Sequence, residues 1–233
     1  LGAITYQWYR DGLPIGNILK DDQGVNGVDG LDGATIIIFS ADGKHAYVTG
    51  WNDDAVSWYE RNASTGALTY GGVLKDGVGG ADGLNGANGV TLSADGNHAY
   101  VTGEADDAIS WYERNASTGA LTYGGMLQDG VNGVDGLDKA RGITLSADGN
   151  HAYVTGWADD AVSWYERNAT TGVLSYGGVL KDGVGGVDGL DHTLDVTLSA
   201  DGNHVYVTGA YDNAVSWYER NASTGALTYG GML

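Results

Sequence analysis

Cysteine is absent from the 233 residues, so no disulfide holds the fold together and no thiol chemistry is available. Proline occurs once, at Pro14. Beside 41 glycines, that excludes a polyproline stalk and a collagen or linker composition. Positive charge is scarce. Lys plus Arg is 11 against 30 Asp plus Glu, a net charge of −19. Nucleic acid and anionic membrane surfaces are therefore poor partners, and cations or basic ligands are better ones. No stretch is long and apolar enough to span a membrane. No leader segment is visible, and the start at Leu1 rather than methionine is what a mature form or a fragment would show. Helical periodicity of useful length is missing too.

What is present is a repeat. SADG begins at Ser40, Ser93, Ser146 and Ser199, and SWYERN at Ser57, Ser110, Ser163 and Ser216, each series stepping by 53 residues. Such a period is read before anything else. Within a unit the pattern is β. GVTLS (89–93) is a short apolar run, ADGN (94–97) a hairpin turn, and HAYVT (98–102) a second strand. AISWYER (108–114) is a third strand, NASTG (115–119) a turn, and ALTYGGML (120–127) a fourth. Four short antiparallel strands per unit of this length predict an all-β fold, a β-propeller of four-stranded blades. The chain holds four full blades plus a partial N-terminal one. Residues 1–23 are expected to form divergent strands, a partial blade or a strand-exchange segment, and residues 24–233 the blades. Hydrophobic residues make up 42% and suffice for the blade interfaces, where Trp58, Trp111, Trp164 and Trp217 with the following tyrosines are expected to pack.

SADGNHAYVTG followed by DDAVSWYERNASTGALTYGGVLKDGVGGVDGLD resembles the bacterial lactonase-like (YVTN-type) β-propeller repeats, from about Gly24 to Leu233. That superfamily shares a S-P-D-G hairpin and a Y-V-T/A-N/G strand, and this chain has alanine in place of the hairpin proline. The resemblance implies a propeller. For function it implies sugar-lactone hydrolases, cell-surface proteins or secreted proteins of other roles. Arg141 stands at the start of an inner strand, where the lactonases tend to place a basic residue.

The two loop faces differ. SADG and NASTG are nearly invariant among units, while the loops after YVTG and at the start of the inner strand vary. The varied face carries Trp51, Asn88, Glu104, Arg141, Trp157, His192, Asp195 and Tyr211, side chains suited to a polar ligand such as a glycan. It also carries most of the acidic residues. In KDGVGGVDGLD the glycines serve a tight crossover between blades. Asp129, Asp135 and Asp138, repeated as Asp182, Asp188 and Asp191, are candidate calcium ligands, with turn capping as the alternative. His45, His98, His151 and His204 are expected to be structural, Glu60-Arg61 and its copies to be solvated strand-end charges, and the Asn-Ala-Ser/Thr sequons at Asn62, Asn115, Asn168 and Asn221 to be turns.

No catalytic residue is assigned, for no G-x-S-x-G is present. The first expectation is a non-enzymatic extracellular or cell-surface module for ligand binding or surface assembly, possible Ca2+ included. It would self-associate or exchange strands to complete its ring. The alternatives are a lactonase-type hydrolase using Arg141, His192 and Asp195 or a divalent metal near the central channel, and a structural spacer in a large surface protein.

Overall fold

The structure is a computed structural model that describes residues 9–10, 13–14, 19–21 and 27–233. Four antiparallel four-stranded sheets follow one another along the chain. The first blade is β3 (Ala34–Phe39), β4 (His45–Gly50), β5 (Ala55–Arg61) and β6 (Leu68–Lys75). The second is β7 (Ala87–Leu92), β8 (His98–Gly103), β9 (Ala108–Arg114) and β10 (Leu121–Gln128). The third is β11 (Ala140–Leu145), β12 (His151–Gly156), β13 (Ala161–Arg167) and β14 (Leu174–Lys181). The fourth is β15 (Thr193–Leu198), β16 (His204–Gly209), β17 (Ala214–Arg220) and β18 (Leu227–Met232). Before them, β1 (Tyr9–Arg10) pairs with β2 (Leu13–Pro14), Tyr9 opposite Pro14. Most of the partial N-terminal blade expected over 1–23 lies outside the described residues.

The sheets stack through the aromatic and branched residues of their middle strands. Tyr47, Val56 and Trp58 of the first blade close on Leu84, Val90, Val101, Tyr112 and Leu121 of the second. The same set, moved by one unit, joins the second blade to the third and the third to the fourth. This is the interface role expected of the tryptophans. The paired glycines of each fourth strand follow from it. The register shifts between Trp164 and Tyr165, and Gly178 sits opposite the indole with φ +155°. A Cβ on Gly178 would stand 2.4 Å from Trp164 Cζ2. Only glycine fits under the ring.

The invariant face is built from local turns and one relay between blades. Asn62 Oδ1 accepts from the backbone N of Ser64 and Thr65, so the sequon asparagine is a turn residue. Arg167 donates from Nε to Tyr100 Oη at 2.5 Å, and its Nη2 lies 2.9 Å from His98 Nδ1 in the preceding blade. Tyr100 in turn donates to the Gly172 carbonyl at 2.9 Å. Arg114 and Arg220 repeat this with Tyr47 and His45, and with Tyr153 and His151. The glutamates of the Glu-Arg pairs are exposed as expected. Arg114, Arg167 and Arg220 are buried, contrary to the expectation, because the preceding blade closes over them.

Candidate functional site

On the varied face, β7, β11 and β15 begin side by side, and the loops after β8, β12 and β16 lean over them. Asn88 Nδ2 donates to Glu104 Oε2 at 2.9 Å. Glu104 Oε1 accepts from Arg141 Nη2 at 3.0 Å. The Arg141 guanidinium lies 4.8 Å from the centre of the Trp157 ring, and the Lys139 ammonium 4.7 Å from it. Trp157 meets the His192 ring edge-on at 4.1 Å, and His192 stacks on Tyr211 at 3.9 Å. Six of the eight predicted ligand residues thus form one continuous chain of contacts across three blades. Trp51 stands at the corresponding place one blade earlier, its indole Nε1 beside Gly86. Asp195 is exposed on β15 next to Gly142, its carboxylate turned to the Val196 amide at 2.9 Å.

Two features set this patch apart from the repeat. Gly33 and Gly86 open the inner strands of the first two blades with positive φ. Lys139 and His192 hold the same position at φ +52° and +54°. An L side chain there costs on the order of 1–2 kcal/mol, which the first two blades avoid with glycine. Arg141 Nε is the one buried side-chain nitrogen or oxygen without a hydrogen-bond partner among the described residues. A guanidinium N–H so placed is a donor waiting for an acceptor.

His192 is also held from below. Its Nδ1 lies 2.5 Å from Asp191 Oδ1 and 3.7 Å from Asp160 Oδ1. The backbone N of His192 donates to Asp160 Oδ1 at 2.8 Å. Asp160, Asp191 and His192 bring three possible metal-ligating atoms within reach of one another.

The calcium candidates are arranged differently from their order in sequence. Asp129 and Asp135 do come together, but their third carboxylate is Asp159, not Asp138. Asp182 and Asp188 likewise gather with Asp212, not Asp191. Asp138 and Asp191 point elsewhere; each instead donates its backbone N to that third aspartate, at 3.0 and 2.8 Å. Equivalent trios are Asp21, Asp29 and Asp53, and Asp76, Asp82 and Asp106. Turn capping is visible throughout: Asp129 Oδ1 accepts from Leu137 N and Asp182 Oδ1 from Leu190 N, each at 3.0 Å. Burial, reinforced by neighbouring carboxylates, raises Asp106, Asp129 and Asp182 above the ordinary carboxylate range. Sequence reasoning missed the lysines. Lys75 and Lys181, at the ends of β6 and β14, reach into the first and third trios.

Comparison with curated proteins finds no match. Among solved structures, a Bacteroides fragilis protein provisionally named a 6-phosphogluconolactonase is 22% identical, with TM-score 0.69 over 84% of this chain and 53% of its own. A Lactobacillus plantarum protein is 22% identical, with TM-score 0.72 over 85% and 54%. The periplasmic gluconolactonase of Pseudomonas aeruginosa is 19% identical, with TM-score 0.71 over 86% and 53%. These likenesses show the fold, and the chain spans about half the length of each of the three. The sequence profile described as "Lactonase, 7-bladed beta-propeller" matches residues 27–181, and the chain belongs to that lactonase-like propeller family.

Proposed function

We propose that the Glu104–Arg141–Trp157–His192–Tyr211 patch binds a sugar lactone and hydrolyses it. The observation that carries this reading is a glutamate-held Arg141 and an aspartate-fixed His192 on either side of Trp157, in a patch that departs from an otherwise near-identical repeat. Lactone opening needs water to attack the acyl carbon, a base to take the proton, and a cation to receive the developing oxyanion. Asp191 holds His192 by Nδ1, which leaves Nε2 as the nitrogen for water. Glu104 holds one arm of Arg141, and the partly exposed guanidinium is the cation for the carbonyl oxygen. Trp157 and Tyr211 offer ring faces to the sugar. The family membership supports this reading over the non-catalytic one.

A second reading keeps the same patch as a glycan-binding surface of an extracellular module, because Tyr211 leaves 65% of its surface exposed. Proton release from an aldonolactone separates the two. Hydrolysis above the buffer rate that falls at least a hundredfold in His192→Asn supports the enzyme; asparagine tolerates the positive φ and cannot act as the base. Hydrolysis at the buffer rate, with Trp157 fluorescence still responding to sugar, leaves the binding module. For the acidic trios, the reading is calcium at Asp76, Asp82 and Asp106, where Gln128 replaces the lysine, a stabilising role apart from the patch.

A further inference from the structure

Trp51 and Trp157 hold the same place in the repeat, directly after the second strand of their blades, two units apart. Their surroundings differ. The Lys139 ammonium lies 4.7 Å and the Arg141 guanidinium 4.8 Å from the centre of the Trp157 ring. The His192 ring meets it edge-on at 4.1 Å. The chain thus surrounds this tryptophan with basic side chains of its own, and Trp157 is half-buried.

The counterparts around Trp51 are Gly33, Thr35 and Gly86. The glycines carry no side chain, and the Thr35 hydroxyl is turned to Thr49 Oγ1 at 2.8 Å. Trp51 keeps 43% of its surface exposed. The groups that cap Trp157 come from its own blade and the following one. Both of these blades are present at Trp51, so its bare ring belongs to the interior of the array.

Carboxylates line the opening. Asp54 Oδ1 accepts from the backbone N of Gly86 at 2.8 Å, as Asp160 Oδ1 accepts from that of His192. In the third blade Asp160 and Asp191 also face the imidazole, at 3.7 and 2.5 Å. The space that the imidazole would take in the first blade is open. A Cβ on Gly86 would enter it 3.1 Å from Trp51 Nε1. On the other flank, beside Gly33, Asp32 Oδ1 accepts from Asn52 Nδ2 at 3.2 Å. Among the described residues no lysine, arginine or histidine pairs with Asp32 or Asp54.

We propose that Trp51, with Asp54 and Asp32, is a binding site for an organic cation, an alkylammonium or guanidinium group. The ligand supplies from outside what Lys139, Arg141 and His192 supply to Trp157 from within. The ring attracts the cation, the two carboxylates compensate its charge, and the net charge of −19 draws it in. A free amine and a basic side chain of a polypeptide share this chemistry. The site is distinct from the patch around Trp157.

Isothermal titration calorimetry at fixed ionic strength tests this on the whole chain. The probes are agmatine as a free cation, the blocked tripeptide Gly-Arg-Gly as a polypeptide side chain, and glucose as a neutral sugar. Saturable binding of a cation at one site per chain is expected, and the tighter of the two cations identifies the source. Trp51→Ala and Asp54→Asn should each weaken it at least tenfold. The asparagine isolates the charge, since its amide oxygen can still accept from Gly86 and Asn213 holds the same position at φ +54°. Gly86→His should weaken binding by filling the gap, as His192 does at φ +54° against Trp157. Thermal melts of the three variants show that each is folded. Absence of saturable cation binding overturns the proposal. So does binding that survives Trp51→Ala, as diffuse attraction to an acidic surface would, or a Trp51-dependent response to glucose alone. Lactone turnover plays no part in the readout.

Discussion

Lys181 places its ammonium 2.7 Å from Asp135 and 2.6 Å from Asp159, between two carboxylates of the third acidic trio. Lys75 does the same between Asp29 and Asp53, at 2.7 and 2.9 Å. Burial alone would lower both ammonium groups, but the hydrogen bonds to the carboxylates carry them above their ordinary value. In the second blade the same position is Gln128, whose amide turns to the Asp106 carbonyl oxygen at 3.0 Å and leaves the carboxylates uncompensated.

The lysine is therefore expected to substitute for calcium. Lys181→Gln should destabilise by about 1–2 kcal/mol, less than a fully buried charge pair because the side chain keeps partial contact with water. It should also enlarge the rise in melting temperature that millimolar calcium produces over chelator at equal ionic strength. In the parent, that rise is expected from the trio of Asp76, Asp82 and Asp106, where Gln128 stands in place of the lysine. Identical melts with calcium and with chelator, in parent and variant alike, would remove calcium from the reading.

Tyr100→Phe tests the relay between blades. The hydroxyl accepts from Arg167 and donates to Gly172, and the side chain is fully buried. Its loss leaves a buried guanidinium N–H and a carbonyl short of a partner, which costs about 1–3 kcal/mol. A urea midpoint unchanged within error would show that the relay carries no stability.

The fold was legible because it is written in the period. Fifty-three residues, a Ser-Ala-Asp-Gly hairpin and aromatic third strands describe a blade without any long-range information. The patch was legible in part, since unlike residues in a near-identical array mark where the repeat was abandoned. Two things had no local signal. The burial of Arg114 depends on His45, 69 residues earlier, and a Glu-Arg pair at a strand end looks solvated until the preceding blade is packed against it. The third member of each acidic trio comes from the loop after the second strand, across the sheet, so Asp138 looked like a ligand by spacing where Asp159 is the neighbour in space. The Gly-Gly of each fourth strand was a readable clue to the indole above it, but only once a bulge is imagined.

Gly178→Ala should cost more than a surface substitution in the same strand. The new methyl would meet the Trp164 ring at 2.4 Å, on a backbone at φ +155°. Overpacking of this kind costs about 1–3 kcal/mol, with backbone strain in addition. The comparison is Ser175→Ala, on the same strand opposite Glu166. Equal melting temperatures for the two variants would mean that the indole yields freely.

The acid limb of stability should be set by the buried histidines. Burial, and then the charge of Arg114, Arg167 and Arg220, hold His45, His98 and His151 below their ordinary value of 6.5. The unfolded chain takes up these protons near 6.5, while the folded chain waits for lower pH. Below 6.5 the unfolded state therefore binds more protons, and stability that is whole above that value declines as pH falls. Asp106, Asp129 and Asp182 act in the opposite sense. Their raised values make the folded chain the better proton acceptor just above 3.8, so protonating them returns stability at lower pH. His98→Gln keeps an acceptor for Arg167 and removes one titrating ring. Melting temperatures stepped downward from neutral pH should fall less steeply in this variant than in the parent. Parallel curves would place the acid sensitivity outside the interfaces between blades.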